Sequence, residues 1–230
     1  MKTIGIIGGM SWQSSMEYYK ILNEYAAKIM DESHSCKVIL YSVEFSEIAK
    51  FTHQENWPAI GEIVKKATIN LEKAGADIIV LATNLIHIVS NYIESNTNVP
   101  FLHIAEATGV EIKAKKLNKV GLIGTKFTME KEFYTKYISD RFGVEVIVPN
   151  EEDRQVLHDI IYSELIKGIF TESSKNKCKR IIEKLQLKGI EGIILGCTEF
   201  PLLIPENEIN IPSFDTTKIH ALAALNLAIT

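Results

Sequence analysis

Residues 189–199 read GIEGIILGCTE, and residues 75–84 read GADIIVLATN. Each begins at a glycine, runs through unbroken apolar residues, and ends in small polar ones. A run without a polar face fits a strand covered on both sides, not one lying half in water. Working outward, comparable runs recur at KTIGIIG (2–8), KVILYSV (37–43), DIIVLA (77–82), VGLIG (120–124), VEVIV (144–148) and GIILG (192–196). Between them lie helical patterns. In IGEIVKKATINLEKAG, residues Ile60, Ile63, Val64, Ala67 and Leu71 share one face, with Gly75 as the stop. In ESSKNKCKRIIEKLQLKG, Cys178, Ile181, Ile182 and Leu185 do the same, with Gly189 as the stop. Strands alternating with helices predict an α/β fold with parallel sheets.

The halves repeat. KTIGIIGG (2–9) is echoed by NKVGLIGT (118–125), and GADIIVLATN by GIEGIILGCTE. Gly8 lies 75 residues before Thr83, and Gly124 lies 73 before Cys197. Two matched pairs at nearly equal spacing predict a duplicated unit. The expected domains are 1–100 with 212–230, and 101–211. Thr83 is then the first-half counterpart of Cys197. Ligands of such sheets bind beyond the carboxyl ends of the strands. Halves that face each other would aim both residues into one cleft.

Bulk properties narrow the function. With 230 residues, 46% hydrophobic and 23% charged, the chain has ample material for a core and is not a disordered sequence. Its net charge of -4, without a basic stripe, argues against nucleic acid as partner. No apolar stretch approaches a membrane span, and MKTIGIIGGM lacks the pattern of a signal peptide. Cys36, Cys178 and Cys197 are odd in number and lack CxxC spacing, as expected of reduced thiols in a cytoplasmic protein. The six histidines show no HxxxH or HExxH spacing, so no metal is expected. GIIGGM is not GxGxxG, which weakens dinucleotide binding.

LGCTEF (195–200) and ATNLIH (82–87) resemble the aspartate/glutamate racemase family, together with IGIIGGMSW (4–12), FLHIAEAT (101–108), VGLIGTKFTM (120–129) and SFDTTKIHA (213–221). The likeness runs from residue 2 to about residue 221. It implies two pseudo-symmetric Rossmann-like α/β domains with four-stranded parallel sheets and an active site in the cleft between them. It also implies an isomerase working without pyridoxal phosphate, metal or other cofactor, on a small acidic amino acid, as a homodimer.

Racemisation removes a weakly acidic α-proton from one face and returns a proton to the other. A thiol suits this because its ordinary pKa of about 8.5 can be lowered by a helix N-terminus or a cation. Pro201 fits the first turn of a helix after Cys197, so the expectation is a thiolate favoured by that dipole. Backbone N–H groups at Asn84 and Thr198 would face the developing carboxylate charge. The family's first-half motif is normally Cys-Asn-Thr; here Thr83-Asn84-Leu85 stands in its place. A hydroxyl is too weak an acid to serve as a base near neutral pH. Cys197 is therefore read as the competent base for one enantiomer, with Thr83 positioning substrate or relaying a proton slowly. For the substrate carboxylates the resemblance offers Lys167 in SELIKGIF, which favours aspartate over glutamate, and Lys50, Thr52 or His53 in EIAKFTHQENW. It also sets Met10, Ser11, Trp12 and Leu85 against the substrate.

Other readings stand beside these. Cys36 and Cys178 are read as core thiols. Glu199 is either a helix-start carboxylate or a tuner of the thiol. His87 is read as packed and hydrogen-bonded, Asp215 as a helix N-cap, and His220 as core or surface. With one thiol, the alternatives to a racemase are a decarboxylase or isomerase of another dicarboxylate, or a degenerate binding protein for acidic amino acids.

Overall fold

The computed structural model describes residues 1–230. In chain order the elements begin β1 (Ile4–Gly8), α1 (Trp12–Ile29), β2 (Val38–Ser42), α2 (Phe45–His53), α3 (Trp57–Lys73), β3 (Ile78–Leu81), α4 (Asn91–Glu94), β4 (Phe101–Leu102) and α5 (Ile104–Ala114). The chain continues through β5 (Lys119–Gly124), α6 (Lys126–Glu130), α7 (Glu132–Phe142), β6 (Glu145–Ile147), α8 (Glu151–Ser163) and α9 (Glu172–Gln186). It ends with β7 (Gly192–Gly196), α10 (Phe200–Leu203), β8 (Ser213–Asp215) and α11 (Thr216–Ile229). No helix is long and apolar enough to cross a membrane.

Two compact units divide the chain: Met1–Ala107 with Thr217–Thr230, and Thr108–Thr216. Each holds one four-stranded parallel sheet, ordered β2-β1-β3-β4 in the first and β6-β5-β7-β8 in the second. The same order twice is the structural form of the sequence repeat. β1 and β3, like β5 and β7, are the central strands, and β1, β3 and β7 are buried along their whole length. Their continuous apolarity follows from helices covering both faces. At the edges the pattern relaxes, so Leu40 of β2 is exposed.

The domain boundaries fall later than 100/101 and 211/212. Phe101–Leu102 pairs with β3 and Ser213–Asp215 with β7, so each edge strand stays with the sheet of the strand before it. A three-residue strand leaves too short a pattern to read from sequence.

The helix ends follow their signals. The side chain of Asn56 accepts from Ala59 N–H and that of Thr171 from Ser174 N–H, starting α3 and α9. Gly75 (φ 93°) and Gly189 (φ 82°) then turn the chain in the left-handed region, where a Cβ is penalised. Each unit has its own core. In the first, Ile4, Ile6, Tyr18, Leu22, Ile78 and Val80 pack with Ala221, Ala224, Leu225 and Ala228 of α11. In the second, Ile123, Leu157, Ile161, Cys178, Ile182, Leu185, Ile193 and Leu195 pack around β5 and β7. Full burial of such a side chain contributes roughly 2 kcal/mol, more than any single cap, so the cores rather than the helix ends carry the fold.

Candidate functional site

In the first unit the carboxyl ends of β1 and β3 carry the candidate residues. Met10 is buried, Ser11 caps α1 by accepting from Ser14 N–H at 3.4 Å, and Trp12 is 64% exposed. Thr52 is buried in α2, whereas Lys50 and His53 are exposed. Beyond β3 the chain bends at Ala82 and enters a single 3-10 turn, Leu85–Val89, with Thr83 half-buried and Asn84 and Leu85 buried.

His87 fixes that bend. Its ring Nδ1 lies 2.7 Å from the Thr83 carbonyl oxygen, and its Nε2 lies 3.2 Å from Ile104 N–H. A carbonyl only accepts and an N–H only donates, so Nδ1 carries the proton and Nε2 accepts. The ring is therefore neutral. Burial, followed by the nearby His103 and His220, holds its pKa well below the ordinary histidine value. His87 clamps the backbone of Thr83 to the start of α5, which matches its reading as a packed, hydrogen-bonded residue.

His220, fully buried on α11, belongs to the same cluster. Its Nε2–H donates to the Leu102 carbonyl at 2.8 Å, leaving Nδ1 to accept from Tyr18 O–H at 2.7 Å. Burial pushes its pKa down to about 4. Tyr18→Phe would leave Nδ1 without its donor in a dry setting. The expected loss is about 1–2 kcal/mol, read as a lower urea midpoint at pH 7.5. An unchanged midpoint would mean that the buried bond adds nothing.

In the second unit Cys197 follows β7 directly, half-buried and packed against the core. Its thiol donates to Glu199 Oε2 at 3.0 Å, and Thr198 O–H donates to the same oxygen at 2.7 Å. The thiolate expected from the sequence is not what this turn favours. Burial, then the Glu199 carboxylate, push the Cys197 pKa well above the ordinary thiol value. The N–H groups of Glu199 and Thr198 pull the other way and lose. Pro201 does sit in the first turn of α10, but that helix has only four residues, so its dipole is too small to outweigh a neighbouring carboxylate. Glu199 is the residue at which α10 starts; its side chain makes no cap bond and instead accepts from the thiol and the Thr198 hydroxyl.

Lys167 ends the short turn Leu165–Lys167, followed by Gly168; its side chain is exposed and makes no ion pair. Cys178 is wholly buried, with its pKa pushed up to about 12 chiefly by burial, and Cys36 is buried and donates to the Leu22 carbonyl. Asp215 closes β8 immediately before α11. No cluster of three or more His, Cys, Asp or Glu side chains is placed to hold a metal ion.

Two residues escaped the sequence reading. Tyr162 of α8 packs against the same core cluster as Cys197, and burial, then the charge of a Cys197 thiolate, raise its pKa. His158, one helical turn earlier, lies 4.5 Å from the Tyr162 ring, and its Nδ1 accepts from Lys126 N–H at 3.3 Å. Their i, i+4 spacing in HDIIY was the available signal.

Known proteins resemble this chain along nearly its whole length. The family model described as Asp/Glu/Hydantoin racemase matches residues 7–224. The broad specificity amino-acid racemase RacX of Bacillus subtilis (strain 168) is 26% identical over 222 residues, covering 93% of this chain and 92% of that one. Among solved structures, a candidate Asp/Glu racemase from Yersinia pestis superposes with a TM-score of 0.94 at 43% identity, covering 100% of both chains. An aspartate racemase homologue from Pyrococcus horikoshii OT3 gives 0.89 at 38% identity, again over 100% of both.

Proposed function

Because the chain belongs to the Asp/Glu/Hydantoin racemase family, we propose that it racemises a small acidic amino acid, aspartate or glutamate, with Cys197 as its single thiol base and acid. The observation that carries this reading is the half-buried thiol at the carboxyl end of the central strand β7, hydrogen-bonded to Glu199. In its thiolate form Cys197 takes the α-proton, becoming the thiol, and the electron pair left on carbon delocalises into the α-carboxylate. Return of a proton to the opposite face completes inversion; return to the same face gives exchange without inversion. No redox change or leaving group is involved, and the reading assigns the step to the side chains without pyridoxal phosphate or metal. Thr83, in the equivalent place of the first unit, offers a hydroxyl that hydrogen-bonds substrate or relays a proton through water. The unpaired Lys167 is the proposed cation for the distal carboxylate, which inclines the reading to aspartate.

The test is exchange in heavy water, with L-aspartate, D-aspartate, L-glutamate and D-glutamate supplied separately. Proton NMR follows loss of the α-hydrogen, and a chiral assay follows inversion. The expected result is exchange of one enantiomer much faster than its mirror image, since only one face meets a thiol. Failure of all four to exchange would sink the racemase reading. Carbon dioxide release from a malonate would then mark a decarboxylase, and thermal stabilisation by an acidic amino acid without turnover would mark a binder.

A further inference from the structure

Glu199 is held more closely to Cys197 than a solvent-facing carboxylate at a chain turn would be. It is 7% exposed, and one oxygen, Oε2, takes both the Cys197 S–H and the Thr198 O–H. Both donors immediately precede the carboxylate in sequence and converge on that one oxygen. We propose that Glu199 is a positioning residue that keeps the resting Cys197 protonated and so sets the pH at which it becomes a base. This rests on the reading of Cys197 as the group that removes the α-proton.

The balance is one proton. The S–H bond breaks, its proton leaves to solvent, and a thiolate remains beside a carboxylate. That pair repels, so the thiolate forms later in pH than an ordinary one. It is also the stronger base once formed, an advantage against a weakly acidic C–H. The titratable group acting on the sulfur is Glu199 from its own turn, and Tyr162 of α8 is near enough that burial and then a Cys197 thiolate push its hydroxyl toward the neutral form. No cation acts on the thiol to offset the carboxylate.

The test compares the wild-type protein with Glu199→Gln across pH 6 to 11 by iodoacetamide alkylation, with Cys197 resolved from Cys36 and Cys178 by mass spectrometry. The wild-type Cys197 midpoint should lie above the ordinary thiol value of about 8.5. In Glu199→Gln it should fall by at least about one unit, so that alkylation near pH 7.5 is roughly tenfold faster. The kcat/KM profiles for α-hydrogen exchange should cross, the variant being faster near neutrality and slower at its alkaline plateau. A purely structural role for Glu199 would lower exchange equally at every pH with the midpoint unmoved, and that result overturns the proposal. So does a wild-type midpoint at or below about 8.5, which decides the matter even if the variant does not fold. Alkylation needs no substrate. Absence of exchange in both proteins would therefore sink the racemase reading, while the midpoints still judge Glu199.

Discussion

Cys197→Ser is expected to reduce α-hydrogen exchange by at least about 10³-fold for every substrate the wild-type protein accepts. The substitution changes little in shape, and a serine hydroxyl can still donate to Glu199 Oε2, as the thiol does. What it removes is acidity. A hydroxyl is not ionised to any useful extent near neutral pH and is a far weaker acid than a thiol, even one whose pKa is raised. The loss should fall on kcat with the thermal midpoint nearly unchanged, because the serine stays in the same turn with the same partner. Cys36→Ser is the matched control, since Cys36 packs in the first unit's core and donates only to a backbone carbonyl. Exchange surviving within tenfold in Cys197→Ser would remove the thiol from the chemistry.

The second large effect is on stability in acid. His220 is buried neutral with its pKa at about 4, against 6.5 for a free side chain. His87 is shifted in the same direction, well below the ordinary histidine value. Between those values the unfolded chain binds protons that the folded chain refuses, so stability is full above about pH 6.5 and falls as the pH drops toward 4. At about 1.4 kcal/mol per unit, His220 alone accounts for roughly 3 kcal/mol. His87 adds to it, because protonating Nε2 would set an N–H against Ile104 N–H. Urea titrations at pH 7.5, 6, 5 and 4.5 measure the decline. A flat profile would mean that these rings take up protons in the folded protein as readily as in the unfolded chain, so that His87 Nε2 and His220 Nδ1 are not held as acceptors.

The two histidines also show where sequence reading stopped. That His87 was packed rather than exposed followed from its place just after a buried run, but its partner at Ile104 lies 17 residues away and comes from fold geometry alone. Cys197 was legible because a strand, a glycine and the CTE motif fix its place at a strand end. The direction of its pKa shift was not. Pro201 signalled a helix whose length the sequence left open, and nothing in CTEF states that the Glu199 side chain folds back on the sulfur. Tyr162 was hidden for a similar reason: α8 has buried and exposed faces, and which residue of its boundary comes within electrostatic reach of Cys197 depends on how the helix docks on its sheet. The central strands β1, β3, β5 and β7 were plain from apolar runs, but β4 has two residues and β8 has three, too few to declare a period.

The return of α11 to the first unit has a consequence for how the protein is made. Ribosomes deliver residues 1–107 first, yet the cluster around Tyr18 and Leu22 lacks Ala221, Ala224, Leu225, Ala228 and the His220 ring until the final helix has emerged. The stretch from Thr108 to Thr216 owes nothing to that helix for its sheet and closes once β8 is out. The portion synthesised later is therefore expected to become protease-resistant earlier. Limited digestion of nascent chains stalled after residue 216 would show it, by leaving the 108–216 stretch intact while residues 1–107 are cut; the opposite pattern would refute that order.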